Sequence, residues 1–317
     1  MRAARRTGGM GWWRALAASL GAAAVAAGCR STLPESAGDH ADELPPPLTR
    51  SYRAGETVRY VMSGSHRSPA GERRYTAESE GRVERGADGA FFETTRWVRL
   101  EVDGQAVALD GPSADFRQQL SLDAGYEMPF PDIRGVNPML IGPIFDLMTF
   151  YVDLHPSLQQ GRLAAAGDRV HVPHGEPNRW ADGTRVLVGE DCIDFELSLV
   201  QVTEDGAQLR VMHVPPAKSS VALASDWMRV PVGAAPNNWV QVVREGGGAA
   251  PAFVAAVGHE TFDVDIRVDR ATGRIVSAVM ENPVDVVQRR CRDEALRDCE
   301  DPTAYRIFRR IELRPAP

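Results

Sequence analysis

Phe262–Val279 reads FDVDIRVDRATGRIVSAV, and its two halves are the grammar of a β-hairpin. Phe262, Val264, Ile266 and Val268 alternate with Asp263, Asp265 and Arg267. A period of two is the mark of a strand with one dry face and one wet face. Between the halves, Asp269–Gly273 (DRATG) supplies the glycine that a tight hairpin turn wants where φ is positive.

The same order of strand, acidic-Gly turn and strand occurs twice more. Tyr75–Thr94 reads YTAESEGRVERGADGAFFET and Asp194–Val211 reads DFELSLVQVTEDGAQLRV. No fixed period of roughly 20–50 residues links the three, so they are long meander hairpins and not a solenoid repeat. Further turns fall at Asp88-Gly89, Asp103-Gly104 and Asp205-Gly206. Alternating runs also flank the region, with Val58, Tyr60 and Met62 at one end. At the other, Tyr305, Ile307, Arg309, Ile311 and Leu313 share a face opposite Arg306, Arg310 and Glu312. This pattern predicts a mostly β (α+β) domain over residues 52–317, built on a large curved antiparallel sheet or half-barrel.

One stretch breaks the pattern. Residues 135–158 read GVNPMLIGPIFDLMTFYVDLHPSL. Pro143 at a first helical position and Pro156 past the end bracket a helix of about 12 residues, 143–155. Leu140, Ile144, Leu147, Tyr151 and Leu154 form one stripe, while Phe145, Met148 and Val152 cover other sides. A helix apolar all round is either fully buried or binds something apolar. It is placed against the concave face of the sheet. Leu140, Ile144, Phe145, Leu147, Met148 and Tyr151 are the candidates for lining a hydrophobic ligand surface there, with Met148 and Phe150 offering adaptable contacts.

Composition narrows the classes. The 317 residues are 43% hydrophobic and 25% charged with a net charge of −7, which suits a folded globular chain and disfavours nucleic acid as a partner. Lys218 is the sole lysine, so arginine abundance by itself carries little weight.

The N-terminus reads as a targeting segment. Arg2, Arg5, Arg6 and Arg14 precede the uncharged stretch Ala15–Gly28, whose 14 residues fall short of the roughly 20 that span a bilayer as a helix. It ends in Ala26-Ala27-Gly28-Cys29, which resembles the lipobox of bacterial lipoproteins. That resemblance implies a signal peptide over 1–28, cleavage before Cys29 and acylation of Cys29. Ala26 stands where the family usually has leucine. Removal of 1–28 takes away four arginines and no acid, leaving 289 residues at −11. Residues 29–51 would then be the lipid anchor and a Pro- and Ser-rich tether, spanning roughly 25 Å as a coil. Arg30, where an inner-membrane signal would put aspartate, leans towards the outer membrane, facing the periplasm. More broadly, the order of elements is similar to the lipoprotein-carrier superfamily of LolA, LolB and LppX-like proteins. In that superfamily a half-barrel is closed by helices over an acyl-chain cavity.

Motifs for catalysis are sparse. No Gly-x-Ser-x-Gly elbow, Ser-x-x-Lys, His-Glu-x-x-His or phosphate-binding glycine loop is present in the sequence. His171, His174 and Glu176 are the densest set of metal-type ligands, but they supply at most three of the four that zinc favours. His259-Glu260 could serve acid–base chemistry, whereas Asp263 and Asp265 read as the wet face of a strand. Cys291 and Cys299 are expected to form a disulfide and Cys192 is left over. The segment Arg289–Arg314 mixes eight arginines with six acids, which favours an ion-paired strand face over a headgroup contact.

The expectation is therefore a lipid-anchored cell-envelope lipoprotein without cofactor or metal, leaning away from catalysis, that binds a hydrophobic or amphiphilic ligand or an envelope component. The alternatives are a protein-interaction module of an envelope assembly, or a hydrolase in which His171, His174 or His259 meets a carboxylate.

Overall fold

A computed structural model describes residues 48, 50–122, 129, 131–154, 163–172, 178–182, 186–190, 194–214, 225–245 and 252–317. Among the described residues the fold is mostly β, one antiparallel sheet of 15 strands that does not close into a barrel. The three hairpins of the sequence are all present. They are β2 (Gly71–Arg85) with β3 (Phe91–Val102), β9 (Asp194–Val202) with β10 (Gly206–Val214), and β13 (Asp263–Asp269) with β14 (Ile275–Cys291). The turn between Val102 and Gln105 is Asp103-Gly104, both with positive φ (51° and 78°), as the right-handed twist of a two-residue hairpin demands.

The spine pairs strands far apart in sequence. β1 (Thr57–Ser68) pairs with β2 on one side and with the last strand, β15 (Thr303–Pro315), on the other. β15 in turn pairs with β14. At β14 the sheet forks. Its first half pairs with β13, leading on to β10, β9 and β6 (Arg169–Val172). Its second half pairs with β12 (Ala252–Glu260), leading to β11 (Trp239–Glu245), β8 (Val186–Glu190) and β7 (Asn178–Asp182). The fork sits at Thr261-Phe262, where one strand line passes from β12 to β13.

Buried polar groups hold that corner. Asn238 exchanges two hydrogen bonds with the Glu260 backbone (2.8 and 3.0 Å), and the Asn282 amide donates to Glu260 Oε1 and to the Thr261 carbonyl, both at 2.9 Å.

A short helix α1 (Pro112–Asp115) and a long one, α2 (Pro138–Leu154), complete the described fold with a single 3-10 turn at Asp226–Arg229. α2 begins five residues earlier than the proline pattern predicts. Pro138, not Pro143, occupies the first helical position, and Asn137 caps it by accepting the Met139 N–H at 3.0 Å. Pro143 lies inside the helix, so the Met139 carbonyl loses its usual i+4 donor. Pro156 lies outside the described residues.

Leu140, Ile144, Leu147, Met148 and Phe150 are each 0% exposed, with Phe145 at 1% and Tyr151 at 3%. Strands from both arms of the sheet and non-strand residues such as Phe116, Val136 and Leu163 together bury the helix. The main core accordingly collects α2 with side chains from both arms, including Met62, Leu100, Leu209, Ile266, Met280 and Ile311. A second cluster, around Met228, Val240, Phe253 and Leu296, is stapled by the expected Cys291–Cys299 disulfide. Cys29 and Cys192 lie outside the described residues.

Candidate binding site

The site begins with two carboxylates that the apolar core should not contain. Asp146, in the middle of α2, is 2% exposed, and Glu93 on β3 is also 2% exposed. Each meets a tyrosine across the helix–sheet interface. The Tyr75 hydroxyl donates to Asp146 Oδ2 at 2.6 Å, and the Tyr151 hydroxyl donates to Glu93 Oε2. Thr95 adds a bond to Glu93 Oε1 at 2.8 Å. Burial pushes both carboxyls above the ordinary range. For Asp146, Arg309 and Tyr75 oppose the rise. For Glu93, the opposition comes from the Tyr151 and Thr95 bonds, Arg50 and Arg274.

Glycines make room for these groups. A Cβ at Gly64 would lie 2.1 Å from the Tyr75 ring, and one at Gly81 would lie 2.0 Å from the Glu93 carboxylate. Gly64 and Tyr75 are directly opposed in the β1–β2 ladder, so the ring lies flat across the bare strand. Local sequence thereby seats the partners of the helix.

Asp146 also takes Arg309, whose Nη1 sits 3.2 Å from Oδ1 with side-chain exposures of 9% and 3%. Arg309 comes from β15, the strand where the alternation put it among apolar residues. Its register neighbours are His66 on β1 and, one strand further, Arg73 on β2. Directly opposed residues share a face, so Arg73, His66 and Arg309 form one row across three strands. Burial, then the charge of Arg309, depresses the His66 imidazole to about 4, which leaves it neutral near pH 7.

This row borders a cleft of about 80 Å³ beside the first half of α2, with Pro138, Met139, Gly142 and Pro143 as its helical wall. Through Arg73, Val102, Pro138 and Met139 it adjoins a wider, open hollow of about 1020 Å³, which also touches Val107, Pro112 and Val136. None of the six apolar residues expected to line a ligand surface borders either space. They are the packing surface of α2, and the open volume lies beside them.

Among the described residues the other candidates form no cluster. His171 is an exposed residue of β6, while His174 and Glu176 lie outside the described residues. Among the described residues no group of three or more His, Cys, Asp and Glu could hold a metal ion. His259 Nδ1 is 3.1 Å from the Pro236 carbonyl, and Glu260 belongs to the corner at the fork. Asp263 is paired with Arg210 at 2.6 and 3.0 Å, on a wet strand face as expected. The arginine-rich end is largely ion-paired. Arg290 meets Glu245, Arg292 meets Asp298 and Arg306 meets Asp285 at 2.5–3.5 Å, and Arg289 lies over the Trp227 ring.

Sequence reasoning missed Asp146, Tyr75, His66 and Arg309 as members of one structure, and Glu93 as the partner of Tyr151 in a second buried pair. Two signals existed. Asp146 interrupts an apolar helix, and Arg309 falls in phase with Ile307 and Ile311. Each is a charge in a dry position, and together they are a pair.

No family model and no curated protein matches this chain. Among solved structures it is weakly similar to a chain described as "Asymmetric conductivity of engineered proteins", at 8% identity and TM-score 0.20, covering 82% of this chain and 99% of that one. A mutant porin of Rh. blastica follows at 7% identity and TM-score 0.18, covering 81% and 99%. A complex of MucB with MucA(peri) stands at 13% identity and TM-score 0.15, covering 82% and 94%. Similarity this slight assigns neither fold family nor function, so the chemistry of the site must carry the argument.

Proposed function

We propose that this protein is a lipid-anchored lipoprotein of the bacterial cell envelope, non-catalytic, that binds an amphiphilic ligand at the first half of α2. The carrying observation is the junction of two spaces. A small cleft bordered by His66, Arg73 and Arg309, and also by Val102, Met139 and Pro143, opens beside a larger hollow where Val107 and Val136 stand with Gln105, Asp110 and Ser113. Both spaces set charged or polar groups beside apolar ones, the surroundings an amphiphile needs. Anchoring rests on the lipobox-like Ala26-Ala27-Gly28-Cys29 and on the tether that follows it. With a mature charge of −11, attachment to an anionic bilayer would come from acyl chains, and stable anchoring needs more than one.

Two measurements test the reading. Metabolic labelling with an alkyne fatty acid should mark the full chain and fail to mark Cys29→Ala; equal labelling of both would refute the anchor. Native mass spectrometry of the protein extracted in a mild neutral detergent should show a co-purifying lipid, reduced by Met139→Asp at the shared wall. Extraction free of any lipid, with no uptake from added lipid, would refute the ligand.

A further inference from the structure

Arg309 is more than nine-tenths buried, yet it is only partly satisfied. Nη1 holds Asp146, while Nε and Nη2 are shut off from solvent with no hydrogen-bond partner. His66 Nε2, directly across the ladder, is likewise buried and unpartnered. Buried donors without acceptors are rare because each forfeits its hydration with nothing in return. Here three such nitrogens fall on two neighbouring side chains that border the same cleft.

The particular edge left free matters. Nε and Nη2 of a guanidinium form a two-pronged donor that matches the two oxygens of a carboxylate or phosphate. Asp146 and Tyr75 do not compete for that edge. Asp146, itself held by the Tyr75 hydroxyl, takes the guanidinium at Nη1, the other side. Arg73, next in the row, adds a second positive charge, held on its outer side by Asp103 at 3.7 Å. Charges bordering the cleft are therefore Arg73, Arg74 and Arg309 against Asp146, with Arg74 paired outside it to Glu72, beside an imidazole that is neutral near pH 7.

We propose that the cleft is an oxyanion site, in which the carboxylate or phosphate head of the ligand takes the Nε–Nη2 edge of Arg309, the Nε2–H of His66 and the charge of Arg73. The site rests on the amphiphile reading given above and specifies the head group that reading leaves open. Entry requires the cleft wall to give, and Met139, unbranched and flexible, is the side chain placed to do so. The adjoining hollow then receives what the head group carries.

Calorimetric titration of the full chain in neutral detergent tests this with three probes: inorganic phosphate, dihexanoyl phosphatidic acid and octyl glucoside. Phosphatidic acid should bind, and His66→Leu and Arg73→Gln should each weaken it at least tenfold. Arg309→Gln alone would strand Asp146, so the paired variant Arg309→Gln/Asp146→Asn keeps the core neutral and should abolish binding. A thermal melt identifies any variant that has lost its fold, and the remaining variants then decide. Binding of phosphate as well as phosphatidic acid, both lost in the variants, means the site takes the free anion too; phosphatidic acid alone means the tail is required. Either supports the proposal. If phosphatidic acid and octyl glucoside bind alike and the variants change neither, the oxyanion site is overturned while the amphiphile reading survives. If only phosphate binds and the variants abolish it, the site stands and the amphiphile reading falls. If no probe binds, or phosphate binds wild type and variants equally, the oxyanion site is overturned.

Discussion

Replacing Arg309 with methionine should be among the most damaging single changes on β15. The side chain it removes is nearly fully buried, and Asp146 would remain 2% exposed with only the Tyr75 hydroxyl as a partner. Breaking one half of a buried ion pair typically costs 3–5 kcal/mol, because the surviving charge has lost its water and its partner together. In a domain of this size each kcal/mol shifts the melting temperature by roughly 2–4 °C, so the loss should be on the order of 10 °C. The second variant is the sharper test. Arg309→Met combined with Asp146→Leu removes both charges from an interface that Tyr75, Val102, Met139 and Pro143 also border. Exchange of a buried pair for apolar side chains is often neutral or stabilising, so the double variant should regain most of the stability. Urea denaturation followed by far-ultraviolet circular dichroism gives all four corners of the cycle. A single-variant cost below about 1 kcal/mol, or a coupling indistinguishable from zero, would refute the view that Asp146 and Arg309 act as one unit against α2.

Other perturbations read the same interface. The depressed His66 imidazole favours the neutral form in the native state, so its contribution is complete above the unfolded value near 6.5 and is lost as pH falls towards about 4. His66→Leu should therefore flatten the acid limb of a urea-midpoint profile, by up to about 3 kcal/mol across that window. Glu93 has the opposite sign. Its raised carboxyl is best tolerated below its unfolded value, and stability drains as pH rises through the native one. Glu93→Gln should gain on wild type between pH 4.5 and 8, and an unchanged difference across that range would count against burial as the cause. Gly64→Ala forces a Cβ to within 2.1 Å of the Tyr75 ring and should cost about 2 kcal/mol or more, whereas Gly233→Ala, with nothing within 4 Å, should stay within about 0.5 kcal/mol. Reducing Cys291–Cys299, which closes a loop of sequence separation 8, should cost about 2.5 kcal/mol and loosen Trp227, Met228 and Leu296 first. Hydrogen exchange at those amides checks the second half.

The sheet was largely legible because its information is local. Alternation and turn residues specify β2–β3, β9–β10 and β13–β14 without reference to anything distant. The apolar circumference of α2 announced its burial for the same reason. Its first residue was misread because two prolines, Pro138 and Pro143, both suit a helix start, and the choice depends on Asn137 as a cap. The site was not legible because it is assembled at long range. Asp146 and Arg309 are 163 residues apart, and Tyr151 reaches Glu93 across 58. Nothing in the neighbourhood of either partner says that the other exists. Gly64 and Gly81 carry the missing signal, since bare positions inside strands mark where another group must lie close.

The pairing of β1 with β15 has a consequence for the order in which the molecule can form. A chain made from its N-terminus can close the β1–β2 and β2–β3 hairpins early, since both are local. α2 follows with Asp146 exposed or stranded, because its cation, Arg309, is made 163 residues later. Closing that loop is slow, as contacts of great sequence separation are. Until β15 arrives, the helix has half a bed and an uncompensated charge, so its docking waits on a strand made long after it. Deletion of Arg306–Pro317 would then leave the greasiest segment of the described fold without a place to go.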